Sequence, residues 1–349
     1  LALRLLHVIL YGLKQINGER TSASVYHLLK GKRSSQTLQD GTIYHLSFLF
    51  GVYKKLDRQI YDEQINVLLT ENWIKQIQEN TYILTNAGEE ELKHHQFPKH
   101  LHGLQYGELG EWIWKRLALL VQTVSHLQER SSFLPVQQEL EVTAWVKRFL
   151  LAFPYSREQL RDMLYRESEG ILLQVTEQEA TVFVLRLTGA ERIGYTKMQL
   201  AQFLRIDAFH VHLLFLGAVH FIVKEITKQQ GTYPLLEMIL PAADIRNVLS
   251  ISTQKTYMHW KQGKSMDEIA AIRGLKRNTI EDHIVEIAMN EPDFPIDSFL
   301  PQETIETVKE AISRMQTRKL RVLKQHLGEE INYFAIRLVL AALGGAYEA

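Results

Sequence analysis

The sequence predicts a mainly α-helical protein with one small β-hairpin near its N-terminal end. Three observations lead there. Apolar residues recur at helical spacing along most of the 349 residues. Ser or Thr followed three positions later by Glu or Gln marks helix starts at Thr176–Glu179, Thr196–Gln199 and Ser265–Glu268. Only Trp73 to Leu84 alternates clearly in the manner of paired strands.

The first region runs from residue 1 to 99. "LALRLLHVILYGL" is expected to be its first amphipathic helix; Arg4 and His7 interrupt the apolar run, and no small-residue cleavage site follows. Asp57 is a plausible N-cap for a helix whose apolar face carries Ile60, Ile65, Leu68 and Leu69. The strand from Trp73 to Ile77, a turn at Glu79-Asn80 and a return strand from Thr81 to Leu84 follow, and Thr85 opens another helix. Helices closed by a hairpin wing describe a winged helix.

"HHQFPKHLHG" reads as a polar linker. The second region, 104–250, is a helical middle domain. Val182 to Leu187 is β-rich, so a strand stays open there. Thr196 to Ile222 holds two helices broken at Arg205–Asp207, a helix-turn-helix spacing. No apolar run is expected to reach the roughly 18 residues that a bilayer span needs. The third region, 252–343, is a helix-turn-helix domain, and "GGAYEA" after it reads as a tail.

Composition bounds the function. Lys plus Arg is 40 and Asp plus Glu is 40, with a pI near 7.4, so any nucleic-acid contact has to come from local patches. With no cysteine, thiol nucleophiles, disulfides and thiolate zinc sites are excluded. That fits a reducing, cytoplasmic setting. Gly263-Lys264-Ser265 looks like the end of a phosphate loop, but Met258 stands where such a loop needs its first glycine. Ser265 is better read as a helix cap answered by Glu268. No nucleotide, cofactor or metal is expected, and no catalytic constellation stands out.

In the same stretch, Ile269 and Ile272 share a face, Gly274 permits a positive-φ turn, Leu275 plugs the core, and Ile280, Ile284 and Ile287 form the stripe of the second helix. The N-terminal residues of such a second helix reach the major groove. Here these are Lys276, Arg277, Asn278 and Thr279. The exposed face continues as Glu281, Asp282 and Glu286, carboxylates that repel phosphate. They are candidates for docking a protein partner, so DNA grip and partner docking both stay open for this helix.

Here the sequence resembles a known family. "GKSMDEIAAIRGLKRNTIEDHIVEIA" and the later "EEINYFAIRLVLAAL" resemble the helix-turn-helix domain that ends some bacterial RecQ-family DNA helicases. "LLKGKRSSQTLQDG" and "YILTNAGEEELK" look like the winged helix that follows the RecQ motor. The whole chain is similar to the YpbB family of Gram-positive bacteria. The resemblance implies a DNA-binding protein without motor lobes, working beside a separately encoded RecQ-type helicase on forked or branched DNA. It does not imply a strand-splitting pin, because the wing tip Glu79-Asn80 is short and bears no ring.

Further candidates for DNA contact are the loop cations Lys30, Lys32 and Arg33, a second group of Lys54, Lys55 and Arg58, and Arg318, Lys319 and Arg321 in "TRKLRVLK". A solvated surface is the competing reading of each. His94, His95, His100 and His102 lie around a proline and lack metal-ligand spacing. His210, His212 and His220 fit a partly buried core; Tyr106, Trp112 and Trp114 read as core before a partner-binding patch, the competing reading. A transcriptional regulator reading one operator is the alternative function, and a pure protein adaptor a third. The oligomeric state is open.

Overall fold

The structure is a computed structural model describing residues 2–229, 231–240, 249–291 and 293–345. The chain opens with α1 (Leu5–Ile16), α2 (Ser22–Leu29), α3 (Ser35–Ile43) and α4 (Arg58–Thr70), then β1 (Ile74–Gln78), β2 (Thr81–Leu84) and α5 (Asn86–Lys93). The middle holds α6 (Gly103–Gln128), α7 (Leu140–Ala152), α8 (Arg157–Leu172), α9 (Glu177–Leu185), α10 (Lys197–Leu204), α11 (Ala208–Lys228) and α12 (Pro234–Ile239). The last part holds α13 (Ile251–Lys261), α14 (Met266–Arg273), α15 (Arg277–Asn290), α16 (Gln302–Met315), α17 (Leu320–Leu327) and α18 (Tyr333–Gly345). Among the described residues the fold is mainly α with one two-stranded antiparallel sheet, as the sequence predicts.

Two compact units share these elements: Leu1–Val8 with Glu89–Arg246, and Ile9–Gly88 with Asn247–Ala349. The second unit therefore combines most of the N-terminal region with the C-terminal one, which the three consecutive regions read from the sequence kept apart. Its join is α3, which packs against α2, α15 and α18. Every residue of α3 from Thr37 to Ile43 is buried, although "SQTLQDGTI" is largely polar. Asp40 inside it is paired with Arg20 at 2.9 Å and accepts from Gln36 at 2.8 Å.

The wing forms as expected. Lys75 pairs with Ile83 and Gln76 with Tyr82, with a bulge before Gln78 opposite Thr81. Asn80 takes the left-handed turn at φ +54°. Asp57 caps α4, accepting from the Gln59 N–H at 2.7 Å. The inner face of α4 is Tyr61, Ile65 and Leu68; Ile60 is 41% exposed, a quarter-turn off the face assigned to it. Thr85 accepts from the Gly88 N–H at 3.2 Å at the start of α5.

The first unit is built around α11, which packs against α6, α9 and α10. Thr176 and Thr196 both form complete capping boxes with Glu179 and Gln199. The β-rich stretch is helical as far as Leu185, in α9, where Glu179, Val182 and Phe183 are buried at helical spacing and α9 packs against α11. The expectation that no apolar run has bilayer-spanning length is corrected by α11. Its 21 residues meet the length and composition, and 78% of the relevant window is buried within the fold. Trp114 packs edge-on to Phe183 and Phe215, and Tyr106 is buried, in keeping with a core role. Of the proposed tail, residues 346–349 lie outside the described residues.

Candidate nucleic-acid interface

The sequence places Lys30, Lys32 and Arg33 before α3, and Lys54, Lys55 and Arg58 before and at the start of α4. The fold brings these two groups together. Gly31 and Gly51 are both in the left-handed region, at φ +71° and +67°. Their loops touch so closely that a Cβ on Gly31 would lie 2.9 Å from the Gly51 Cα. Both glycine amides donate to the same Leu28 carbonyl, at 2.9 and 2.8 Å.

Two rings lie within the cluster. Lys30 Nζ lies 5.5 Å and Arg58 Cζ 5.2 Å from the Tyr26 ring centre, while Arg33 lies 5.8 Å from that of Phe50. Burial together with Lys32, Arg58 and Lys30 holds His27 below its ordinary value. The side chains of Lys32, Arg33, Lys54, Lys55 and Arg58 are exposed. Arg58 is also paired with Asp62 at 2.9 Å. A cluster of this kind suits phosphate oxygens, with positions set by the two glycine turns. The outward side of α4, with Gln59, Ile60, Glu63, Asn66 and Val67, adds little positive charge.

In the C-terminal part, the helix-turn-helix geometry follows the sequence plan. Ser265 and Glu268 form a complete capping box, and Gly274 closes α14 at φ +61°. Ile269, Ile280, Ile284 and Ile287 are fully buried. Two assignments need correction: Ile272 is 55% exposed, since α14 buries only Ile269, and Leu275, after the Gly274 turn, is only half-buried. An open cavity of about 400 Å³ lies at Gly263-Lys264-Ser265, but Asp267 and Glu268 also line it. Lys264 and Arg277 line it too, but Arg277 is paired with Asp267 and Lys264 lies 3.9 Å from Glu268, which leaves little cationic charge for a polyphosphate.

At the head of α15, Lys276 and Asn278 are exposed and Thr279 is half-buried. Arg277 is engaged by Asp267 and, at 3.4 Å, by Glu281. The acidic face is also largely committed. Asp282 is paired with Arg337. Glu286, expected on the exposed face, is buried: it accepts from Thr253 Oγ1 at 2.6 Å and from the Ser250 N–H at 2.7 Å. It fixes the start of α13 to α15. Arg318 likewise turns inward, donating to the Ile43 carbonyl and to His45, and its backbone N–H to Glu19. Lys319 is half-buried and Arg321 exposed.

The histidines of the linker are not a group by themselves. His102 caps α6, accepting from the Gln105 N–H at 3.2 Å, and its own N–H donates to His220 Nδ1 at 3.0 Å. His95 instead joins His7 and Glu91. Its Nε2 and that of His7 lie 3.1 and 3.2 Å from one Glu91 oxygen, with the two rings stacked at 3.7 Å. Sequence reasoning missed this trio because His7 lies far away in the chain. Its donor spacing would admit a metal ion, but the Arg4 N–H donates to His7 Nδ1 at 3.0 Å. That leaves the His7 proton on Nε2, 3.2 Å from Glu91, where a metal would need a bare lone pair. Two rings sharing one carboxylate fit this arrangement better.

A hairpin-winged helical region and a helix-turn-helix in one unit, with a basic cluster, fit the class of DNA-binding modules. The comparisons with known proteins narrow it. The helix-turn-helix domain family matches residues 252–340. The chain is 36% identical over 339 residues to Protein YpbB of Bacillus subtilis (strain 168), covering 95% of this chain and 96% of that protein. It therefore belongs to the YpbB family. No solved structure matches it.

Proposed function

We propose that this chain is a non-catalytic DNA-binding accessory protein of the cytoplasm that works beside a RecQ-type DNA helicase on forked or branched DNA, in replication, recombination or repair. The helicase supplies ATP hydrolysis; this chain supplies grip and position. The observation that carries the reading is the gathering of Lys30 and Arg58 over Tyr26 and of Arg33 over Phe50, on two loops that touch at Gly31 and Gly51, in the unit that also holds the helix-turn-helix. Lys276 and Asn278 are the base-facing candidates of α15, with Thr279 and Arg277 beside them; Lys319 and Arg321 are secondary phosphate contacts. Glu281 and Asp282, with their cationic partners, are the proposed edge for a protein partner.

The test is reconstitution with a RecQ-type helicase on a forked duplex. Association in a pull-down and altered unwinding on adding this chain are expected. No association together with unchanged unwinding overturns the helicase reading. Competition on random duplexes addresses the operator-reading alternative: a strong consensus with paired half-sites favours a regulator, and preference for forks favours the accessory role.

A further inference from the structure

The segment joining α9 to α10 is firmly tied down, yet it shows apolar surface to water. The Tyr195 N–H donates to the Leu185 carbonyl at 2.8 Å, the Gly194 N–H to Thr188 Oγ1 at 2.9 Å, and the Ala190 N–H to Ser125 Oγ at 2.9 Å. Gly194 is needed there, since a Cβ would lie 2.2 Å from the Arg186 carbonyl oxygen. On this fixed loop Ile193 is 81% exposed and Tyr195 37%. α10 continues the same surface with Met198 at 60% and Phe203 at 62%, and it buries only Leu200 and Ala201. The Tyr195 and Phe203 ring centres are 6.1 Å apart. From residue 191 to 205 the charges are Arg192, Lys197 and Arg205 against Glu191 alone.

We propose that this surface is a stacking platform for single-stranded nucleic acid. Two exposed rings on a rigid support, interleaved with cations, match what unpaired bases and their phosphates need. Duplex bases already stack on one another, so a duplex gains nothing from Tyr195 and Phe203. The net positive charge of the segment selects an anionic occupant over a neutral apolar one. The proposal rests on the nucleic-acid reading of the chain and deepens it by naming a strand state and a second contact surface, in the first unit.

Fluorescence anisotropy of the full chain with labelled oligothymidine and with labelled duplex tests it. The double variant Tyr195→Ala, Phe203→Ala is expected to bind the single strand about tenfold more weakly or worse, with duplex affinity unchanged. Lys32→Ala with Arg33→Ala is expected to weaken duplex binding instead. Photocrosslinking of the unaltered protein with iodouracil-substituted oligonucleotide is expected to label the 192–205 segment, a readout independent of the variant's folding. Unchanged single-strand affinity in the Tyr195/Phe203 variant, or crosslinks confined to other segments, overturns the platform. Loss of all duplex binding by the unaltered protein would overturn the basic-cluster reading instead, so the two failures are distinguishable.

Discussion

Glu19 and Thr317 stand 298 residues apart in sequence, and Thr317 Oγ1 donates to the Glu19 carboxylate at 2.6 Å. The same carboxylate accepts from Tyr44 OH at 3.0 Å and from the Arg318 N–H at 3.2 Å. One side chain thus fastens the stretch before α17 to the stretch after α3. Glu19→Ala leaves three donors without their acceptor and is expected to cost the second unit roughly 2 kcal/mol. Chemical denaturation should show a lower midpoint with an unchanged slope. A midpoint within error of the unaltered protein would show the clasp to be energetically idle.

Gly88 gives the sharpest steric prediction. A Cβ there would lie 2.1 Å from the Trp73 carbonyl oxygen, which also accepts from the Thr85 N–H at 3.0 Å. Gly88→Ala raises helix propensity, so in an open helix it would stabilise. Here the clash outweighs that gain, and a net loss of about 1–3 kcal/mol is expected. A thermal melt that rises in this variant would contradict the packing of α5 on the wing.

The basic cluster predicts a proton signature. Burial comes first among the causes that depress His27, and Lys32, Arg58 and Lys30 add to it. Phosphates bound among those cations offset their field, so the His27 titration should move upward when duplex is added. NMR titration of the imidazole at low salt reads this directly. Lys32→Ala with Arg33→Ala should also reduce the steepness of the salt dependence of duplex binding by about 2. An unmoved His27 under saturating duplex would place the DNA elsewhere.

Acid should weaken the first unit. Burial, then the fields of His102 and His212, pushes His220 down to about 3 from 6.5. Burial, then His95 and Arg4, pushes His7 down to about 4, with Glu91 opposing. Both folded values lie below the unfolded one, so the unfolded chain takes up protons first as the pH falls. Their stabilising effect is complete above the unfolded value and drains away between 6.5 and the folded values. At about pH 5 each is expected to have cost roughly 2 kcal/mol. Denaturation midpoints across this range should fall, and His220→Phe should flatten the decline. An equally steep decline in that variant would remove His220 as its source.

Local signals carried much of this fold. The capping boxes at Thr176, Thr196 and Ser265, the hairpin from Ile74 to Leu84 and the left-handed Gly274 all depend on residues within a few positions of one another. What could not be read depends on partners far along the chain. α3 is polar by sequence and buried in fact, because α15 and α18 cover it. Glu286 and Arg318 carry charge that a linear reading assigns to the surface, and Thr253 and Ile43 claim them. The basic cluster was legible as two separate groups; only the contact of Gly31 with Gly51 makes it one.

The discontinuous second unit also sets an order of events during synthesis. Its N-terminal portion, through Gly88, is made first, and roughly 160 residues of the other unit follow before its C-terminal portion begins. At ribosomal speeds of about 5–20 residues per second, that is a wait of order ten seconds or more. Throughout it, the faces of α3 that α15 and α18 will cover remain bare. The polar character of "SQTLQDGTI" then takes on a second meaning: a helix that must stay open to water while the rest is made is safer with threonine, glutamine and aspartate than with a greasy stripe.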